Sequence, residues 1–408
     1  MHDDSPNAKG APPRETAGRQ GHQRADGQWE FAPESGSDHE HDTWDLATDP
    51  TPFAGEPNPA LAPTPAIPPD ALARSRAALK VWLGILVVFG VGGILFGQQE
   101  LALLIAVSGV IIVAHAADFH PRFELLYRTV SIALIGVCGS TLLALAAYFR
   151  MSPPAGIAGA IVLPLSLVSG LLMFATGAPP VGMALARAMF GAKGDSHSFR
   201  LAARLTLFGF LVAGPGWFAA QPMFERSQDM NALFENLSLG GAVLGYIILA
   251  LAAVGFLVRR DLRSTIERLG LTRLGTRHLL IIALGVPVLW GLNIAGEWGQ
   301  QHWFPALAVS DRRINEALAG ALDRRAMIGL ALTAGIGEEI TLRGALQPKL
   351  GLVLTSLFFA ALHIQYSWYG MALIFALGMV LGLIRKHSNT TTAMAVHALY
   401  DLAALLAT

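Results

Sequence analysis

From Leu79 onward the sequence alternates long apolar runs with short polar ones, and each run is long enough to cross about 30 Å of hydrocarbon as a helix. The runs fall at 79–97, 101–117, 127–149, 156–177, 203–220, 237–258, 278–296, 326–342, 351–366, 368–384 and 391–407. The pattern predicts an all-α fold, a polytopic transmembrane bundle of about eleven spans. Residues 1–75 follow another rule. Pro57, Pro59, Pro63, Pro65, Pro68 and Pro69 crowd together there with no apolar periodicity. Such a segment buries too little surface to offset the entropy of ordering, so a disordered cytoplasmic tail is expected. It has no apolar core of the kind that marks a secretory signal peptide.

Composition supports the membrane reading. Of 408 residues 53% are hydrophobic and 14% charged, against about 25% charged in an average soluble domain. The formal net charge is zero, so no global field favours nucleic acid, and none is expected as a partner. Cys138 is the single cysteine and, lying in an apolar run, reads as a small packing residue. In the tail, His39-Glu40-His41-Asp42 has metal-ligand chemistry. Its Gly and Ser neighbours supply no rigid geometry, and a solvated acidic tail is the preferred reading.

The positions of Lys and Arg give the orientation. Arg74, Arg76 and Lys80 precede the first span, Arg122 and Arg128 follow the second, and Arg187, Lys193, Arg200 and Arg204 follow the fourth. Six arginines from Arg259 to Arg277 follow the sixth, Lys349 follows the eighth, and Arg385 and Lys386 follow the tenth. An N-terminus in the cytoplasm, in the inner membrane of a bacterial-type cell, puts each of these clusters on the cytoplasmic side. The loop 297–325 is the exception, carrying Arg312, Arg313, Arg324 and Arg325 outside. There Asp311, Glu316 and Asp323 alternate with the arginines at helical spacing, which predicts a short amphipathic helix on the outer surface. Four regions result: the tail 1–75, a six-helix region 76–258, a basic cytoplasmic joint 259–277 and a second membrane domain 278–408.

Interior polar residues of the first six spans are mostly Ser, Thr and Gly, which let helices pack closely. His115 lies near a span end, where an interfacial role is the plain expectation. The last third differs. Glu338, Glu339 and Arg343 lie in the eighth span, His363 in the ninth, and His397 and Asp401 in the eleventh. A charge at bilayer depth costs roughly 2.5–3.5 kcal/mol on insertion scales unless it meets a partner or a cavity. With the eighth span ending near Pro348, Glu338 lies about 15 Å from the cytoplasmic end, His363 about 18 Å and the His397–Asp401 pair about 9–15 Å. The groups share one depth. On a helix Glu339 and Arg343 pair at i,i+4, as do His397 and Asp401, while Glu338 points about 100° away from Glu339. Glu338 is thereby left to face a cavity with both histidines. A carboxylate without a counter-cation at low dielectric takes up a proton more readily than one in water and suits general-base work, and imidazoles can donate to an oxyanion. Asp401 would fix a tautomer of His397 or bind substrate. Phe359 would pack beneath His363.

Glu338-Glu339-x-x-x-Arg343, Phe359-x-x-x-His363 and His397-x-x-x-Asp401, in that order, resemble the three motifs of the CPBP family of CAAX-prenyl-protease-like and bacteriocin-processing (Abi) intramembrane endopeptidases. The resemblance covers roughly 270–408. It implies hydrolysis of a peptide bond in a membrane-embedded or lipidated protein or peptide, with the bilayer itself as the other partner. Carried onto this chain, Glu338 activates water with His363, His397 and Asp401 as companions, and Glu339, Arg343 and Phe359 support them. Leu342 stands where relatives often carry Phe. A zinc ion held by Glu338, His363 and His397 and a metal-free glutamate mechanism are both open, the second preferred because the His-Glu-x-x-His spacing is lacking. Two other functions share the cavity: a non-proteolytic scaffold or immunity and secretion partner, and a proton-coupled transporter, the latter disfavoured by the lack of interrupted, repeated helices.

Overall fold

The computed structural model describes residues 21–23, 29–31, 69–153, 157–226 and 239–407. The chain divides into two units, Met1–Gly55 and Glu56–Thr408. In the first, β1 (Gly21–Gln23) pairs antiparallel with β2 (Trp29–Phe31). Most of the expected tail, including His39-Glu40-His41-Asp42, lies outside the described residues.

The described part of the second unit is helical. In order it has α1 (Pro69–Leu95), α2 (Gln99–Phe119), α3 (Glu124–Met151), α4 (Ile157–Ala175), α5 (Pro179–Phe190), α6 (His197–Arg226) and α7 (Leu239–Ala253). Then come α8 (Leu262–Leu269), α9 (Thr276–Trp303), α10 (Pro305–Gly320), α11 (Arg324–Thr333), α12 (Gln347–Ala361), α13 (Trp368–His387) and α14 (Thr390–Ala407). Between α11 and α12 run two wide π-helical turns, Ala334–Glu338 and Ile340–Leu346. Among the described residues eight helices are long and apolar enough to cross a membrane, or up to nine if a bent pair forms one span. The chain is a multi-pass membrane protein of all-α architecture.

The difference from eleven spans has local causes. The fourth expected run is half of the bent pair, whose arms meet at 100° near Gly177. The sixth stops at Ala253, because Gly255 and Leu257 turn the chain with φ of 75° and 65°. The eighth and ninth follow one another without a polar gap, as the apolar run Arg324–Ala361, but remain two segments, as expected. That run is not straight. Sixteen residues of helix would hold Arg343 and Phe359 about 24 Å apart, whereas the Arg343 guanidinium lies 4.6 Å from the centre of the Phe359 ring. The chain folds back at Gly351, whose φ of 76° and ψ of 173° are not helical.

Capping explains several boundaries. Asp261 accepts from the Ser264 amide to open α8, and Gly270 closes it in the left-handed conformation. Asp323 opens α11, Ser367 opens α13, and Asn389 accepts from the Thr392 amide at the start of α14. The basic joint is not simply solvated: Arg259 pairs with Asp118 of α2, and Arg268 donates to the Gly344 carbonyl at 3.0 Å. At the other end of α13 from Arg385 and Lys386, Phe304 packs edge-on against Trp368, an aromatic end suited to a membrane interface.

The amphipathic helix expected within the loop 297–325 is present as α10, but its surface placement is incomplete. Asp311 is 6% exposed and takes hydrogen bonds from neighbouring elements. An acid in a polar loop reads as solvated until its donors, far away in sequence, are seen.

Candidate active site

The two π-helical turns carry the first motif. Each widens the helix locally, a departure that tends to occur at functional sites. Close packing holds them in place. A Cβ on Gly335 would meet the Ala398 backbone nitrogen of α14 at 2.7 Å, and one on Gly337 would meet the Tyr246 ring of α7 at 2.7 Å. Thr341 donates to the Tyr246 carbonyl at 3.1 Å, and Gln347 to that of Gly382 at 2.9 Å.

Glu339 and Arg343 are both fully buried and lie 3.0 Å apart as an ion pair, off the axis of a good hydrogen bond. Arg343 also donates to the Gly378 carbonyl at 3.1 Å and stacks over Phe359. The expected pair therefore forms, but Glu339 has a second partner. The same Oε1 lies 3.0 Å from Nδ1 of His397. On the far side of that ring, Nε2 faces Asp401 Oδ2 at 3.3 Å. Carboxylates accept, so both ring nitrogens carry hydrogen in this arrangement unless a carboxyl holds the proton instead. Sequence reasoning had confined Glu339 to Arg343. No local signal could have linked it to a histidine 58 residues away.

His363 sits just past the end of α12, half-buried, with Nδ1 donating to the Phe359 carbonyl at 2.8 Å. A carbonyl only accepts, so Nδ1 carries the hydrogen, and a neutral ring presents Nε2 as a lone pair. Phe359, 4% exposed, lies edge-on to both imidazoles, with centroids 4.9 Å from His363 and 5.9 Å from His397. It lies against Arg343, His363 and His397 at once.

Glu338, His363, His397 and Asp401 all line one cavity of about 700 Å³ between α9, α10, α11, α13 and α14. Glu338 keeps a buried Oε2 that takes no hydrogen bond. Its remaining wall is apolar at Leu289, Leu377 and Leu381 and polar at Asn293, Glu297 and Asn315. Zinc would need Glu338, His363 and His397 to converge with free lone pairs. His397 has carboxylates on both nitrogens, and among the described residues no three His, Cys, Asp or Glu side chains are grouped to hold a metal. The donor set does not fit a divalent ion in this arrangement.

Fold and cavity define a class, that of multi-pass helical membrane proteins with a carboxylate–histidine site buried among their helices. The sequence profile of the type II CAAX prenyl endopeptidase Rce1-like family matches residues 322–403, a range that contains all three motifs. The "Uncharacterized protein YpbD" of Bacillus subtilis (strain 168) is 30% identical over 158 residues, 38% of this chain and 80% of that one. No solved structure matches the chain. The chain belongs to the Rce1-like, CAAX-prenyl-protease family of membrane endopeptidases, as the motif resemblance implied.

Proposed function

We propose that the protein is an intramembrane endopeptidase that hydrolyses a peptide bond of a membrane-embedded or lipidated substrate, with Glu338 as the general base. The observation that carries this reading is that Glu338, which has a buried carboxylate oxygen without a hydrogen bond, lines a cavity shared with His363 and His397. The cavity has room for a peptide segment and a water. The Glu338 carboxylate and His363 Nε2 are both acceptors, so together they hold and orient the water's two hydrogens. Glu338 takes one proton as the water oxygen bonds to the scissile carbon, and returns it to the amine nitrogen as the C–N bond breaks. His397, held between Glu339 and Asp401 with a hydrogen on each nitrogen, fixes the adjoining wall of the same cavity. This assigns His363 to the water rather than to the oxyanion, because its Nδ1 hydrogen is spent on a carbonyl. Arg343 and Phe359 hold Glu339 and the imidazoles in place. The setting we propose is the inner membrane of a bacterial-type cell, with the N-terminus and the basic joint in the cytoplasm.

The test is cleavage of a panel of quenched-fluorescent, membrane-anchored peptides, prenylated and unprenylated, by the full-length protein in proteoliposomes. Glu338→Gln should lower kcat by about 10²–10⁴, the usual contribution of a general base, with insertion unchanged. Retained cleavage by Glu338→Gln, or no cleavage of any peptide by the unaltered protein, overturns the reading. Full biological activity of the same variant would instead favour a scaffold.

A further inference from the structure

His363 is carried not by a helix but by the turn between α12 and α13, so something must hold it. Helix α10, outside all three motifs, supplies part of that hold. Asp311 Oδ1 accepts from the Ser367 amide at 2.7 Å, and Oδ2 accepts from the Ser367 hydroxyl at 2.7 Å and from the Gln300 amide of α9 at 2.7 Å. All three donors are used on a carboxylate that is 6% exposed. Ser367 is the N-cap of α13, so the charge also faces the positive end of that helix. The approach is close enough that a Cβ on residue 370 would lie 2.6 Å from Asp311 Oδ2. One turn further along α10, Asn315 accepts from the Tyr366 hydroxyl at 2.7 Å. Trp217 of α6 donates to the Tyr366 carbonyl at 2.9 Å.

Three residues separate His363 from Ser367, and the Tyr366 amide donates to the His363 carbonyl across that turn. Fixing residues 366 and 367 therefore fixes where the imidazole starts from. We propose that Asp311 is a positioning residue for His363: it clamps the His363 turn to α10 and α9, so that Nε2 meets the water beside Glu338. Trp217 gives the first six helices a share in the same task. The inference rests on the endopeptidase reading above. A misplacement of about 1 Å can lower a rate roughly 10²-fold, which sets the size of the expected effect.

The experiment uses the full-length protein in proteoliposomes with the same peptide panel, scoring kcat per folded enzyme, KM and thermal unfolding. Asp311→Ala should lower kcat by roughly 10- to 100-fold with KM within about twofold. Asp311→Asn, which keeps an oxygen for the Ser367 amide, should recover part of that loss. Ser367→Ala attacks the contact from its other side, and combined with Asp311→Ala it should add nothing to kcat loss beyond the larger single effect. Should Asp311→Ala fail to insert, Ser367→Ala and Trp217→Phe carry the test, each expected to reduce kcat without raising KM. Unchanged kcat in the folded variants, with only unfolding temperature lowered, overturns the proposal and leaves Asp311 a structural cap. If the unaltered protein cleaves nothing, or Glu338→Gln still cleaves, the endopeptidase reading fails first, an outcome distinct from a dead Glu338→Gln beside a fully active Asp311→Ala.

Discussion

Glu339 and Arg343 form one ion pair, yet the two partners are not equivalent, and the difference is measurable. Glu339 meets two cationic or proton-bearing groups, Arg343 and His397, at 3.0 Å each. Arg343 meets a single carboxylate, its other contacts being the Gly378 carbonyl and the Phe359 ring. Glu339→Gln therefore strands a fully buried guanidinium, for which about 3–5 kcal/mol of lost stability is expected. Arg343→Met leaves Glu339 with His397 while Asp401, a quarter exposed, keeps contact with water, so the loss is one hydrogen bond and one cation–π contact, about 1–3 kcal/mol. In the double variant no charge is stranded, so its stability should match that of Arg343→Met within about 1 kcal/mol and exceed that of Glu339→Gln. Cleavage should follow another order. Both variants lacking Glu339 deprive His397 of its Nδ1 partner and should lose activity roughly 10- to 100-fold, whatever their stability, while Arg343→Met keeps the greater share. Reversible unfolding in bicelles, read beside peptide cleavage in the same preparation, supplies both numbers. If Arg343→Met destabilises as much as Glu339→Gln, or if the double variant regains activity along with stability, Glu339 is only a counter-ion to Arg343 and the reasoning fails.

Two further predictions test the packing and the chemistry of the site. Gly335→Ala places a methyl group 2.7 Å from the Ala398 backbone nitrogen; overpacking of about 1–3 kcal/mol is expected, with a larger fall in cleavage than in stability, because α14 must shift and His397 moves with it. Chelation of the purified protein, checked by elemental analysis, should leave peptide cleavage intact, since His397 is committed to two carboxylates; loss of activity restored by zinc alone would show that the site rearranges around a metal.

Much of the site could be read from residue spacing, because an ion in an apolar run is conspicuous and i,i+4 pairing is a property of the helix itself. Glu339 with Arg343 and His397 with Asp401 were legible for that reason, and a common depth then pointed to a shared cavity. The break between the eighth and ninth spans was signalled by Pro348, while the turn at Gly351 was not read. What could not be read depends on contacts between distant segments. The Glu339–His397 contact, the burial of Asp311 against Ser367 and the hold of Trp217 on Tyr366 have no local periodicity to announce them. The widening of the helix into π turns at Ala334–Glu338 is likewise imposed by neighbours, through the tight fit of Gly335 and Gly337 against α14 and α7.

The side chains of Arg343, Glu339, His397 and Asp401 stand in a row, each in contact with the next. With both imidazole nitrogens bearing hydrogen, the row reads plus, minus, plus, minus and sums to zero. Four ionic groups thus enter the apolar interior as an electrically neutral unit, in which moving a proton on or off any member breaks a pairing. Glu338 stands beside the row without belonging to it. Its protonation, like that of His363 at Nε2, can change while every pair stays whole, which is what the proposed base, taking up and handing back a proton at each turnover, requires.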